Sequence, residues 1–178
     1  MIDSRLALVL KAAAFAAEKH SGQSRKDVDA TPYINHPLAL AQILAVEGDV
    51  EDAEVIAAAL LHDTIEDTQT TGEELRIVFG DRIASMVEEV TDDKGVEKPI
   101  GKARQVEHAP HLSDGAKLVK LADKIANLRD VAHNPPARCD LQRRREYFDW
   151  AEQVIAGVRG AHPKLEAVFD QILHEGRP

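Results

Sequence analysis

The chain has 178 residues, of which 44% are hydrophobic and only 4% aromatic, and its formal net charge is −9. That length fits one domain, residues 1–178, able to bury about 70% of its unfolded surface without disulfide or metal staples. The acidic balance argues against general nucleic-acid binding, which needs a basic face for the phosphates. Arg5 and Lys11 interrupt the short apolar run at the N-terminus, and no stretch approaches the roughly 18 uninterrupted apolar residues of a membrane span or resembles a signal peptide. The one cysteine, Cys139, leaves no internal disulfide, so the expected compartment is reducing and cytoplasmic.

In chain order, Leu6, Val9, Leu10, Ala13 and Ala17 repeat at helical spacing and predict a helix over 5–19, capped by Ser4 or Asp3. A polar segment over 20–35 follows, and Pro37 suits the first turn of a second helix running to Glu47. The third helix starts near Asp52. Its run Ile56-Ala-Ala-Ala-Leu-Leu61 is apolar on nearly every side, which predicts a central, buried position. Thr71 and Glu74 have the capping-box spacing for a fourth helix, ended by Gly80, and Asp81 opens a fifth with Ile83, Met86, Val87 and Val90 inward. Residues 92–101, with Gly95 and Pro99, read as a loop, followed by a short helical stretch over 102–108. Ser113 opens a long helix to about Ala132, with Leu118, Leu121, Ala122, Ile125 and Leu128 as its core stripe and Pro135-Pro136 beyond it. Two helices close the chain, one around Trp150, Val154 and Val158, the other from Pro163 to His174. No period-two strand appears. The predicted class is all-α, with about eight to ten helices.

The densest chemical signal is His62-Asp63, followed by Glu66 and Asp67, at the end of the most apolar helix. Unpaired charges there would be costly to bury, so they call for a partner such as a metal. Imidazole nitrogen with carboxylate oxygen suits Mn²⁺, Fe²⁺ or Zn²⁺. If the helix continues, Glu66 and Asp67 stand one turn beyond His62 and Asp63, where they can position a water and handle its proton. A His-Asp dipeptide alone reads more readily as a polar helix end; the apolar run before it and the acidic pair after it shift that balance. His36 before Pro37 reads as a neighbour of a helix cap, and Asp123 as a surface ion pair with Lys120 or a partner of Asn127.

Together, His20-Ser-Gly-Gln-Ser-Arg25, Pro32-Tyr-Ile-Asn-His-Pro37, Leu60-Leu-His-Asp-Thr-Ile-Glu-Asp-Thr68, Phe79-Gly80 and Leu121-Ala-Asp-Lys-Ile-Ala-Asn-Leu128 closely resemble, in order and spacing, the hydrolase domain of the RelA/SpoT family. The resemblance covers residues 5–160. The short length, without room for a synthetase domain or regulatory tail, is similar to the stand-alone small hydrolases, including animal-type members. It implies an HD-domain helical bundle with one Mn²⁺ per chain held by His36, His62, Asp63 and Asp123, other divalent metals being possible, and with Glu66 and Asp67 catalytic. The implied activity is removal of the 3′-pyrophosphate of ppGpp or pppGpp, which would lower the alarmone level of the stringent response. The resemblance also implies substrate contacts: Arg25 and Lys26 near the base, Asn127 near the sugar, and Tyr147 at the pocket edge. Cations are needed along the approach of so anionic a substrate. Lys94, Lys98, Lys102 and Arg104 can supply them, or can be solvated surface charge. Removal of the 2′-phosphate of NADPH, hydrolysis of another nucleotide, and non-catalytic nucleotide sensing stand as alternatives. No nucleic-acid or membrane partner is expected, and monomer and homodimer both remain open.

Overall fold

The computed structural model describes residues 4–136 and 139–178. Among them are ten α-helices and no strand, only an isolated bridge between Ser24 and Pro32. The helices are α1 (Ser4–Lys19), α2 (Asn35–Gln42), α3 (Ala53–Leu61), α4 (Thr64–Asp67), α5 (Gly72–Phe79), α6 (Asp81–Val90), α7 (Lys98–His108), α8 (Asp114–His133), α9 (Leu141–Ala156) and α10 (Pro163–Gly176). None is long and apolar enough to cross a membrane.

The central element is α3. The Asp52 side chain caps it by accepting from the Glu54 and Val55 amides, and every residue from Ala53 to Leu61 except Glu54 and Ile56 is buried. Around it pack α1, α2, α6 and α8. The alanines of α3 let these neighbours approach closely. On α8, Leu121, Ile125 and Leu128 are fully buried, and α9 and α10 add Phe148, Ile155 and Phe169 to the same core. Ser113 caps α8 by accepting from the Ala116 amide.

Four local expectations change. The buried face of α1 is Ala12 and Ala16, whereas Leu6 and Leu10 are 54% and 58% exposed and Ala17 is exposed as well. Two alanines fit against α3 where leucines would not, and Phe15 meets Phe79 edge-on at 5.3 Å. Asp3, one of the two expected caps, lies outside the described residues. The second helix does not run uniformly to Glu47: its last five residues, Ile43–Glu47, form a π turn closed by the Gly48 amide on the Ile43 carbonyl at 2.8 Å. The expected capping box is half formed, because Glu74 donates its amide to Thr71 Oγ1 but sends its carboxylate to Lys19 at 2.7 Å. Finally, helix begins inside the expected loop, at Lys98, since Pro99 suits a first helical turn.

Candidate active site

The polar residues of the central helices meet in one cavity of about 220 Å³ that opens to solvent. His36 enters it from the first turn of α2, and His62 and Asp63 from the break between α3 and α4. The break turns the chain, so Glu66 and Asp67 come from the separate α4 and not from an extension of α3. From the opposite wall, α8 presents Lys120, Asp123, Lys124 and Asn127, spaced so that all share one face.

Asp123 is the hub. Its Oδ1 lies 3.3 Å from His36 Nε2 and 4.0 Å from His62 Nε2 and accepts from Asn127 Nδ2 at 2.6 Å, while Oδ2 accepts from Lys124 Nζ at 3.0 Å. One donor atom each from His36, His62 and Asp123 lies within 4.8 Å of the others. Asp63 joins through Oδ2, 2.9 Å from His62 Nε2. The His62 ring is set from behind, Nδ1 donating to the Ala59 carbonyl at 2.8 Å, which leaves Nε2 with its lone pair toward the cluster. That Nε2 is buried and makes no aligned hydrogen bond, even with the Asp63 oxygen so near. Two imidazoles and one carboxylate converging in this way, with Asp63 beside His62, are a donor set that fits a divalent cation. The electrostatics agree. Burial penalises the Asp123 carboxylate, but the Lys124 ammonium and the His36 ring outweigh it and hold its pKa well below the usual range. Burial likewise opposes ionisation of Asp63, and the His62 ring overcomes it.

Beside this cluster stand two carboxylates in different states. Glu66 is pushed up to about 7, by burial first and by the nearby Asp63, Asp92 and Asp67, against one amide hydrogen bond from Asp92 at 3.1 Å. A carboxyl with that affinity can take and return a proton near neutral pH. Asp67 is ion-paired with Lys94 at 2.6 Å and accepts from Tyr33 Oη at 3.0 Å; the same hydroxyl lies 2.5 Å from Asp63 Oδ2. Burial and the Asp63 charge keep Tyr33 protonated.

Of the residues expected in the site, Arg25, His36, His62, Asp63, Glu66, Asp67, Asp123, Asn127 and Tyr147 line the cavity. Arg25 is ion-paired with Asp130, lies 3.4 Å from Asn127 Oδ1 and sits 5.8 Å over the Tyr33 ring. Lys94 reaches the rim through Asp67. The structure does not bring the rest in. Lys26 and Lys98 are exposed and away from the cavity, and Arg104 lines a neighbouring cleft, 3.9 Å from Asp93. Lys102 lies 5.0 Å over the Trp150 ring. The expected pairing of Asp123 with Lys120 also fails: Asp123 takes Lys124, and Lys120 Nζ donates to the Val90 carbonyl at 3.3 Å.

Six polar or aromatic lining residues went unnoticed in the sequence: Tyr33, Asp92, Gln105, Lys120, Lys124 and Trp150. For the two lysines a signal existed, since Lys120, Asp123, Lys124 and Asn127 repeat at helical pitch inside a helix otherwise apolar on that side. Gln105 and Trp150 come from α7 and α9, whose approach no local pattern announces.

A family model described as HD domain matches residues 12–149. The protein named guanosine-3′,5′-bis(diphosphate) 3′-pyrophosphohydrolase MESH1 of Xenopus tropicalis is 54% identical over 171 residues, covering 96% of each chain. Its namesake from Homo sapiens is 50% identical over 174 residues, covering 98% of this chain and 97% of that one. A solved structure described as a metazoan orthologue of SpoT that hydrolyses ppGpp superposes with a TM-score of 0.92 at 43% identity over 97% of both chains. The structure of lmo0812 from Listeria monocytogenes EGD-e gives a TM-score of 0.64 at 26% identity, covering 83% of this chain and 98% of that one.

Proposed function

This chain belongs to the HD-domain family, and we propose that it is a guanosine-3′,5′-bis(diphosphate) 3′-pyrophosphohydrolase, converting ppGpp and pppGpp with water to GDP and GTP plus pyrophosphate. Near-full-length likeness to proteins bearing that name supports the reading. The observation that carries it is the junction, in one cavity, of the buried His36–His62–Asp123 donors with Glu66 and Asp67.

In this reading His36, His62, Asp63 and Asp123 hold one divalent ion, Mn²⁺ in our proposal. When bound, such an ion supplies positive charge to the phosphoryl oxygens and makes a nearby water a better nucleophile. The chain's own groups do the rest. Glu66, in its ionised form, accepts a proton from the attacking water, and Asp67, steadied by Tyr33 and Lys94, orients it. A bond forms between that water oxygen and the phosphorus on the ribose 3′-oxygen. The bond from phosphorus to the 3′-oxygen breaks, this oxygen takes a proton from solvent in the open cavity while Glu66 returns its proton to solvent, and the 3′-hydroxyl and free pyrophosphate are left. Arg25, which lines the cavity, would lie against the base, Asn127 would border the sugar, and Tyr147 would stand at the pocket edge. Through this reaction the protein would lower the alarmone level in the stringent response.

A product assay on ppGpp, pppGpp and NADPH with Mn²⁺, then with chelator, tests the proposal. Release of pyrophosphate from the guanine nucleotides, abolished by chelation, is expected. Orthophosphate from NADPH alone would transfer the site to a 2′-phosphatase, and nucleotide binding without turnover under any divalent metal would make it a sensor.

A further inference from the structure

Lys120 is a buried cation without an ion-pair partner among the described residues. Its residue is 7% exposed, and its ammonium has three donor hydrogens but a single contact, the 3.3 Å bond to the Val90 carbonyl. Among the described residues no carboxylate comes within ion-pair distance of it. The other cations of the cavity wall are committed: Arg25 to Asp130, and Lys124 to Asp123 at 3.0 Å with its ammonium 4.3 Å over the Trp150 ring. Lysines are almost never buried without a partner, because desolvating the ammonium is costly. Burial, and then repulsion from Lys124, lowers the Lys120 pKa, and the more distant Asp123, Asp92 and Asp63 carboxylates offset this only in part. The ammonium borders the cavity one helical turn before Asp123, which puts it about 5–6 Å along the helix face from that carboxylate. Next to it on the wall, Gln105 donates to Asp92 while its own Oε1 is buried without a partner, so this corner is polar and incompletely satisfied.

We propose that Lys120 is a substrate-binding residue that receives the outer phosphate of the 3′-diphosphate, and so selects a diphosphate over a single phosphate at that position. The inference rests on the reading of the cavity as a site of phosphate-ester hydrolysis. A phosphate directly beside the ion cluster places its neighbour one turn along α8, and Lys120 is the cation there with unspent hydrogen-bond donors. Binding completes its charge balance, and the ammonium holds the group that leaves as pyrophosphate.

The test compares wild type with Lys120→Met, which keeps the apolar stem, and with Lys120→Arg, which keeps the charge. Three quantities are read on Mn²⁺-loaded protein: pyrophosphate and orthophosphate affinity, and KM for ppGpp; metal affinity and metal-free melting temperature complete the set. Lys120→Met is expected to weaken pyrophosphate binding about ten- to hundredfold, as loss of a hydrogen bond to a charged group does. It should leave orthophosphate and metal affinity close to wild type, raise KM, and leave the melting temperature equal or higher because a desolvated charge is gone. Lys120→Arg should recover part of the pyrophosphate affinity. Equal pyrophosphate affinity in wild type and Lys120→Met would overturn the proposal. So would a drop in melting temperature and metal affinity in Lys120→Met with the pyrophosphate preference intact, since that is the behaviour of a structural lysine. If the wild type fails to cleave ppGpp, the proposed activity falls, and the pyrophosphate comparison still decides the role of Lys120.

Discussion

Replacing Glu66 by Gln separates what the carboxylate does for chemistry from what it costs the fold. In the metal-free protein burial raises the Glu66 pKa from its ordinary 4.5 to about 7. A group whose folded pKa is raised contributes its stability fully below the unfolded pKa, and that contribution disappears as pH rises through the folded one. Here the window runs from 4.5 to about 7, and above it the ionised carboxylate is held at a cost. Each pH unit of the gap corresponds to about 1.4 kcal/mol, giving an upper bound of about 3.5 kcal/mol. The side chain borders an open cavity, and solvent screening reduces this to about 1–2 kcal/mol. Glutamine retains an oxygen for the Asp92 amide, so the substitution removes charge without removing the acceptor. Thermal or urea denaturation of chelator-treated protein should therefore show Glu66→Gln more stable than wild type at about pH 8, by roughly 2–8 °C in melting temperature, and nearly equal at about pH 5. Its turnover of ppGpp with Mn²⁺ should fall about 10²–10⁴-fold. A variant no more stable at the higher pH, or equally stabilised at both, would refute the assigned cause of the shift.

Asp123→Asn should reduce divalent-metal affinity at least about tenfold and abolish the rise in melting temperature on adding Mn²⁺, measured by calorimetry and thermal denaturation. Tyr33→Phe removes a hydroxyl that touches both Asp63 and Asp67; metal affinity and kcat should each drop about tenfold or more with KM nearly unchanged. Gly157→Ala brings a methyl to 2.8 Å from Ala109 Cβ and 2.9 Å from Pro110 Cδ, which should destabilise by about 1–3 kcal/mol in urea titration and leave KM for ppGpp intact.

Much of the architecture is legible in residue order because it rests on local pattern. The apolar run ending at Leu61 announces α3, and the stripe Leu121, Ile125, Leu128 announces α8; both lie in the core. Periodicity misplaces the face of α1, however, since Leu6 and Leu10 out-rank Ala12 and Ala16 in hydrophobicity while only the alanines are small enough for the approach to α3. Gly95 and Pro99 suggest a loop that in fact gives way to α7, whose docking on α9 is helped by Trp150 Nε1 donating to the Lys102 carbonyl at 3.1 Å. In the cavity, the ion donors and acids carry distinctive residue types. Lys120 and Lys124 share the helical pitch of Asp123 and Asn127, but that pitch fits a solvated face as well; only the packing of α8 turns them inward, against Val90 and Trp150.

The placement of four polar residues on a single face of α8 has a bearing on how such a protein can change. Lys120, Asp123, Lys124 and Asn127 are tied to one another by the pitch of the helix, and none can be relocated without tilting a rod whose other sides are locked into the core. These four side chains are therefore inherited as a block. Diversification toward new substrates has its freer ground in the segment over 92–97 and in the α7 and α9 walls, where Asp92, Gln105, Tyr147 and Trp150 meet the ligand space from elements that can shift separately.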